Sequence, residues 1–365
     1  MACKRVHTVD AAPAGARQRP CRPARLPSVA RALLCCGVLL AVTACSATQF
    51  IYNRVDILVR WYLDDYVSLD RDQRARFDQR LEVFLEWHRS EELPSYVTLL
   101  DEALAILDDG VPLQAAREMS DRIEEAAIRF QDPFLELLLN TGEDLRPEQR
   151  AEFVENLVAK QEEFESDRLA RTDREYWDDL EARFDKQLKR YMGPLTSEQT
   201  TRIEQGVAQM TRLDRFWLED RRVWIEALAD ILIAADPDWP DQVRRLIAGR
   251  DEALLPAYRQ GIDHNGEVIL QLSRDVLIAR TDKQDRKLRG KLTALRDDLA
   301  ALAEKGSEQR VEQGAEQGVK PGANPAGPLS SAQTSLQRPA VKDGYPSINE
   351  LSRMAPLSAL VTMLA

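Results

Sequence analysis

Five cysteines, at positions 3, 21, 35, 36 and 45, carry the most readily interpreted reactive side chains of this 365-residue chain. A thiolate is a nucleophile, a metal ligand and an acceptor for covalent modification. The 320 residues after Cys45 contain no cysteine, so they can form neither a disulfide nor a cysteine-ligated metal site. Cys45 is therefore the main candidate for covalent modification, and it directly follows an apolar segment.

That apolar segment, residues 32–44, follows a stretch rich in arginine and is 13 residues long. A membrane-spanning helix needs roughly 18 or more residues, so the segment is typical of a signal peptide. Its end, Val42-Thr43-Ala44-Cys45, resembles the lipobox of bacterial lipoproteins. The resemblance implies cleavage between Ala44 and Cys45 by signal peptidase II, and diacylglycerol and N-acyl chains on Cys45. The alternative is an ordinary signal peptide with an accidental cysteine.

The resemblance also predicts a location. Ser46, rather than aspartate, follows Cys45 and favours an outer-membrane lipoprotein facing the periplasm. Without residues 1–44 the chain has 43 basic and 60 acidic residues, a net charge of −17. Such a body has no electrostatic attraction to nucleic acid or to anionic lipid. We therefore expect the acyl chains to attach it to the membrane, with an envelope protein as partner.

Two aromatic stretches contain the other candidate residues. In "RWYLDDY" helical spacing places Tyr62 and Tyr66 on one face. In "EWHRSEELPSY" the pair His88 and Glu92 has a spacing that could bind a metal, but the mature chain has only one further histidine, so no metal is expected. These side chains either pack inside the bundle or form a contact surface near the membrane. The candidate contact surface comprises Trp61, Tyr62, Asp64, Asp65, Tyr66, Trp87 and His88.

Three segments share the pattern L-x-x-x-Q, starting at Leu69, Leu145 and Leu195. Asp70 or Thr196 can accept a backbone N–H as N-cap, and the glutamine three residues later can complete a capping box. The pattern therefore predicts three helix starts. It also resembles the LTxxQ motif of Spy/CpxP-type periplasmic proteins, which implies a chaperone-like or envelope-stress role as an alternative.

The fold predicted from helical periodicity is all-α: an elongated bundle of about six to eight helices, some of them long. Residues 147–192 contain no interior proline or glycine and could form one helix. Pro133 is expected to kink or end a helix. We divide the chain into a signal peptide with an over-long n-region (1–44), a lipidated tether (45–48), a helical domain (49–304) and a disordered tail (305–365).

Together these features resemble a family of uncharacterised proteobacterial lipoproteins, with a lipobox followed by W-x-x-DDY, L-D-x-x-Q and W-H-x-x-x-ELP-x-Y. The family carries a domain of unknown function, so the resemblance implies no catalytic residues. No Walker A, G-x-S-x-G or H-E-x-x-H motif occurs, and no cofactor or small-molecule substrate is identifiable. We expect a non-catalytic envelope scaffold or adaptor. The alternatives are a periplasmic chaperone and, with only location to support it, a cell-wall hydrolase.

Overall fold

The computed structural model describes residues 47–316, and in this part of the chain every regular element is helical. The all-α prediction is therefore confirmed. The helices are α1 (Ala47–Tyr52), α2 (Val55–Asp64), α3 (Arg71–Trp87), α4 (Leu93–Asp108), α5 (Leu113–Glu143), α6 (Pro147–Leu169), α7 (Asp173–Met192), α8 (Ser197–Val207), α9 (Asp214–Ala234), α10 (Trp239–Ala248), α11 (Pro256–Ile278) and α12 (Asp282–Glu316). A π-helical turn, His88–Glu92, joins α3 to α4, and a single turn, Arg250–Ala253, precedes α11.

The predicted count of six to eight helices is wrong, since the described residues form twelve. One reason is a break inside the segment 147–192, which separates α6 from α7. The Thr172 side chain accepts the N–H of Glu175, and Glu175 accepts the N–H of Thr172. This capping box starts a new helix without any proline or glycine.

Pro133 does not end a helix, because it lies inside α5, which has 31 residues. The sequence Asn140-Thr141-Gly142 does not end the helix either, since α5 extends to Glu143. Gly142 contributes to packing instead. A Cβ at this position would lie 2.8 Å from Cη2 of Trp239, so the absence of a side chain lets α10 approach α5 closely.

The last helix, α12, packs along α4 and the π-helical turn. Its leucines at positions 288, 299 and 302 are buried. The helix does not stop at the predicted domain end but continues to Glu316. The predicted tail beyond that point lies outside the described residues, as do Ala44 and Cys45 at the other end of the chain.

The buried side chains form several clusters between neighbouring helices. Near α3 and α5 the cluster contains Phe77, Leu81, Phe84, Phe130 and Phe134. A second contains residues of α4, α7, α8, α11 and α12, and a third contains residues of α5, α6, α9 and α10. Within the described part of the chain, no helix combines the length and the apolar character needed to cross a bilayer.

Candidate functional site

The structure does not bring the seven residues of the candidate contact surface together. Tyr66 lies just before the start of α3 and His88 directly after its end, and α3 spans 17 residues. At about 1.5 Å per residue these two places are roughly 25 Å apart. Trp61 is separate again, because its side chain is 66% exposed on α2.

At the C-terminal end of α2, two tyrosines form a hydrogen-bonded pair. The hydroxyl groups of Tyr62 and Tyr66 are 2.9 Å apart, and Tyr66 is buried. Burial and the neighbouring Tyr66 hydroxyl raise the pKa of Tyr62. The Lys160 ammonium lies 5.0 Å from the Tyr66 ring centroid. The Tyr62 phenol is therefore neutral at pH 7, and both rings take part in packing.

The two acidic residues of this stretch have cationic partners. Asp64 accepts a hydrogen bond of 2.8 Å from Arg74 on α3. Asp65 lies 3.7 Å from the Lys160 ammonium on α6. These exposed ion pairs contribute little stability individually, but they leave α2 nearly neutral.

At the other end of α3, His88 is 1% exposed. Its Nδ1 lies 2.7 Å from the Tyr52 hydroxyl, and its Nε2 is buried without a hydrogen-bond partner among the described residues. Burial, together with the positive charge of Arg89, lowers the pKa of His88 to about 4. The ring is therefore neutral at pH 7. Five aromatic side chains surround it: Tyr52, Phe84, Trp87, Tyr96 and Phe130.

Glu92, the residue whose spacing suggested a metal pair with His88, has another partner. Its carboxylate is buried and accepts hydrogen bonds of 3.0 and 3.3 Å from Arg129 on α5. Among the described residues no group of three histidine, cysteine or acidic side chains could hold a metal ion. The π-helical turn thus joins two helices through an aromatic cluster and an ion pair.

The L-x-x-x-Q pattern produces the most regular arrangement in the molecule. The predicted helix starts are confirmed at α3, α6 and α8, where the N–H of Asp70, Arg146 and Thr196 donates to the Oε1 of the following glutamine. The capping box is complete at Asp70 and Thr196. At Arg146 only the glutamine half exists, because a guanidinium has no acceptor.

The glutamines of the first two helix starts also bind each other, which the sequence did not predict. Each amide of Gln73 and Gln149 donates to the other's Oε1 at 2.8 Å. Gln73 also donates to the carbonyl of Asp144 and Gln149 to the carbonyl of Ser68. Each of these carbonyls lies five residues before the partner glutamine. We call this symmetric arrangement the first glutamine junction.

A second glutamine junction repeats the arrangement with Gln199 and Gln284, whose amides donate to each other's Oε1 at 3.2 and 2.8 Å. Gln284 donates to the carbonyl of Pro194 and Gln199 to that of Ala279, again five residues before the partner. Gln284 does not fit the L-x-x-x-Q pattern, because Arg280 stands in place of the leucine. The capping box from Thr281 to Gln284 was the available signal.

Each junction fixes two helix N-termini that are far apart in the sequence. Gln73 and Gln149 are 4% exposed, Gln199 is 0% and Gln284 is 4%. Their amide groups bind backbone groups and each other, so they are unavailable to an external ligand. Chemically, the motif satisfies the unpaired backbone groups at a helix start.

Arg221 on α9 is a further buried polar residue that sequence reasoning missed. It is 3% exposed and lies over the rings of Phe164 and Trp217, with distances of 5.5 and 5.6 Å to their centroids. Its Nε and Nη2 have no hydrogen-bond partner, and within the described residues it forms no ion pair. Burial lowers the pKa of Arg221. The aromatic faces are therefore its main compensation.

The chain matches the model of a family of unknown function, DUF6279, over residues 65–259. No curated protein and no solved structure matches the chain. The matched segment includes both residues of the first glutamine junction, the π-helical turn and Arg221. It begins at Asp65, after the lipobox-like segment and Trp61. Because the match covers more than half of the sequence, the chain belongs to the DUF6279 family, whose function is unknown.

Proposed function

We propose that this protein is a non-catalytic helical scaffold or adaptor, attached by acyl chains on Cys45 to the periplasmic face of the bacterial outer membrane. One observation supports the proposal that the protein is not a catalyst: its most distinctive polar residues make contacts inside the protein. The four junction glutamines, His88 and Glu92 are buried and hold helices together. The lipobox-like sequence supports the anchor.

The surface that remains for a partner is mainly charged. Many of its arginines pair with carboxylates across helix boundaries, as Arg244 does with Glu136 and Arg117 with Glu267. These ion pairs give the described part of the protein a fixed and mainly acidic surface. Recognition by an envelope protein with a basic face fits this charge.

The proposal is tested in cells that express the full chain. Labelled palmitate should enter the wild-type protein but not a Cys45→Ala variant, which should accumulate unprocessed. After chemical crosslinking, the wild-type protein should recover the same envelope protein in repeated experiments. Absence of both palmitate and a specific crosslinked partner would refute the proposal.

The chaperone-like alternative derives from the resemblance to the LTxxQ motif. The glutamines of that motif are buried here, so they are not available to an unfolded client. Support for this alternative has to come from exposed apolar side chains, such as Val223 and Ile233 on α9. Suppression of client aggregation by the purified protein, lost in a Val223→Ser, Ile233→Ser double variant, would favour it over the scaffold.

A further inference from the structure

The first two helices expose large apolar side chains that the bundle does not cover. Phe50 and Ile51 on α1 are 57% and 39% exposed, and Trp61 on α2 is 66% exposed. Their neighbours Tyr52, Val55 and Val59 are buried. The helices thus have one face packed on the protein and an aromatic face directed away from it.

The exposed residues form one stripe along the two helices. The Arg54 guanidinium lies 4.6 Å from the centroid of the Phe50 ring. Arg54 directly precedes α2 and is seven residues before Trp61, which corresponds to about two helical turns and places both on the same side. The stripe therefore runs from Phe50 through Arg54 to Trp61.

The charges next to this stripe are compensated. Asp56 lies 3.2 Å from the Arg60 guanidinium, which also binds Asp78 at 2.7 Å. Asp64 and Asp65 pair with Arg74 and Lys160. Arg54 forms no ion pair with any described residue. The strongly acidic character of the chain is thus absent where the aromatic residues are exposed.

We propose that this stripe, Phe50, Arg54 and Trp61, lies in the surface of a phospholipid bilayer. The inference rests on the proposed acylation of Cys45. Helix α1 begins at Ala47, two residues after that cysteine, and an extended chain spans at most about 3.6 Å per residue. Acyl chains on Cys45 would therefore hold Phe50 within the interfacial region. Aromatic rings and arginine are the side chains that favour this region.

The bilayer contact would add to the anchor and orient the bundle on the membrane. Exposed apolar residues elsewhere on the protein would have no such anchor beside them. Val223, which is 62% exposed on α9, provides a matched control that is remote from Cys45 in sequence. A protein partner covering the stripe is the competing explanation, and lipid vesicles without other proteins distinguish the two.

The cysteine distribution makes a specific probe feasible. Cleavage before Cys45 would remove the other four cysteines, and diacylglycerol would block the thiol of Cys45. The mature chain would then contain no free thiol. A Trp61→Cys or Val223→Cys variant can therefore be labelled at one site with an environment-sensitive fluorophore and reconstituted in phosphatidylcholine vesicles.

We expect the fluorophore at position 61 to have a blue-shifted emission compared with the fluorophore at position 223. Its quenching by aqueous iodide should be several-fold weaker. A lipid-borne quencher should quench only the fluorophore at position 61. Mass spectrometry of the N-terminal peptide reports acylation in the same sample. Equal iodide quenching at both positions in an acylated protein would overturn the bilayer contact and leave the anchor intact. An unacylated N-terminus would overturn both proposals.

Discussion

The two glutamine junctions bury polar side chains, and so do two separate sites, those of His88 and Arg221, but the junctions and these sites differ in how the buried groups are satisfied. In the junctions, the Nε2 and Oε1 of all four glutamines have hydrogen-bond partners. His88 leaves Nε2 without one, and Arg221 leaves Nε and Nη2 without one. Aromatic rings surround both of these residues.

The comparison distinguishes two roles of buried polar side chains. A glutamine of a junction satisfies backbone groups, so its removal leaves several of them unpaired, and each costs about 1–3 kcal/mol. The guanidinium of Arg221 satisfies no described group, so an apolar replacement removes a desolvation cost instead. Substitutions of similar size are therefore expected to have opposite effects on the stability of the protein at the glutamine junctions and at Arg221.

The largest effect is expected for Gln199→Leu. The substitution removes the partner of the Thr196 N–H, of the Val276 and Ala279 carbonyls and of the Gln284 amide. We expect a loss of about 3–4 kcal/mol in the free energy of unfolding, measured by urea denaturation. The control is Gln205→Leu, an exposed position on the same helix, which should change stability by less than about 0.5 kcal/mol. Equal effects of the two substitutions would break the comparison.

The buried His88 predicts that the free energy of unfolding depends on pH. Its pKa is lowered to about 4 in the folded protein, whereas an unfolded histidine has a pKa near 6.5. Between these values the unfolded state binds more protons, so this residue's contribution is complete above pH 6.5 and declines as the pH falls towards 4. The decline amounts to about 3 kcal/mol. A His88→Phe variant should lack this component, whereas the exposed control His264→Gln should retain it.

The caps of the two junctions should respond differently to acid. Thr196→Ala is expected to cost about 1 kcal/mol, with little dependence on pH. Backbone hydrogen bonding to the Gln73 N–H, followed by the bond from Arg146, holds the pKa of Asp70 below its usual value. The stabilisation by Asp70 is therefore present above about pH 3.9 and is lost as the pH falls through the lowered pKa. The destabilisation by Asp70→Ala should disappear in strong acid, and a constant difference would contradict this origin.

The smallest change is expected for Arg221→Met, which keeps a flexible side chain of similar length. We expect the free energy of unfolding to change by less than about 1 kcal/mol or to increase. Trp217→Ala, which opens a cavity beside the same site, should cost about 3 kcal/mol. A cost above about 3 kcal/mol for Arg221→Met would indicate a partner for the guanidinium and would remove the contrast with the junctions.

Local features of the fold could be predicted from the sequence, because they depend on neighbouring residues. The capping boxes at Asp70 and Thr196 and the position of Pro147 at the start of α6 are of this kind. The break at Thr172 follows the same rule, but the absence of proline and glycine concealed it. Pro133 does not end its helix, because residues on both sides of it, such as Phe130 and Phe134, are packed in the protein interior.

The candidate site was less predictable because its contacts join distant segments. The junction partners are separated by 76 and 85 residues, and no local pattern indicates which glutamines pair. The aromatic residues of "RWYLDDY" also divide between buried and exposed positions within two turns. Helical spacing assigns faces, but it does not show which face another helix covers. Arg221 lacked any signal, since exposed arginines are common throughout the sequence.

The most direct test of the account is a double-mutant cycle at the first glutamine junction, with Gln73→Leu, Gln149→Leu and both together. If the two amides bind each other, each single variant leaves the other glutamine without its hydrogen-bond partner. The double variant should then cost less than the sum of the single variants by about 1–2 kcal/mol. Additive losses, with no coupling within about 0.3 kcal/mol, would contradict the pairing of the two amides. The glutamines would then again be candidates for binding an unfolded client.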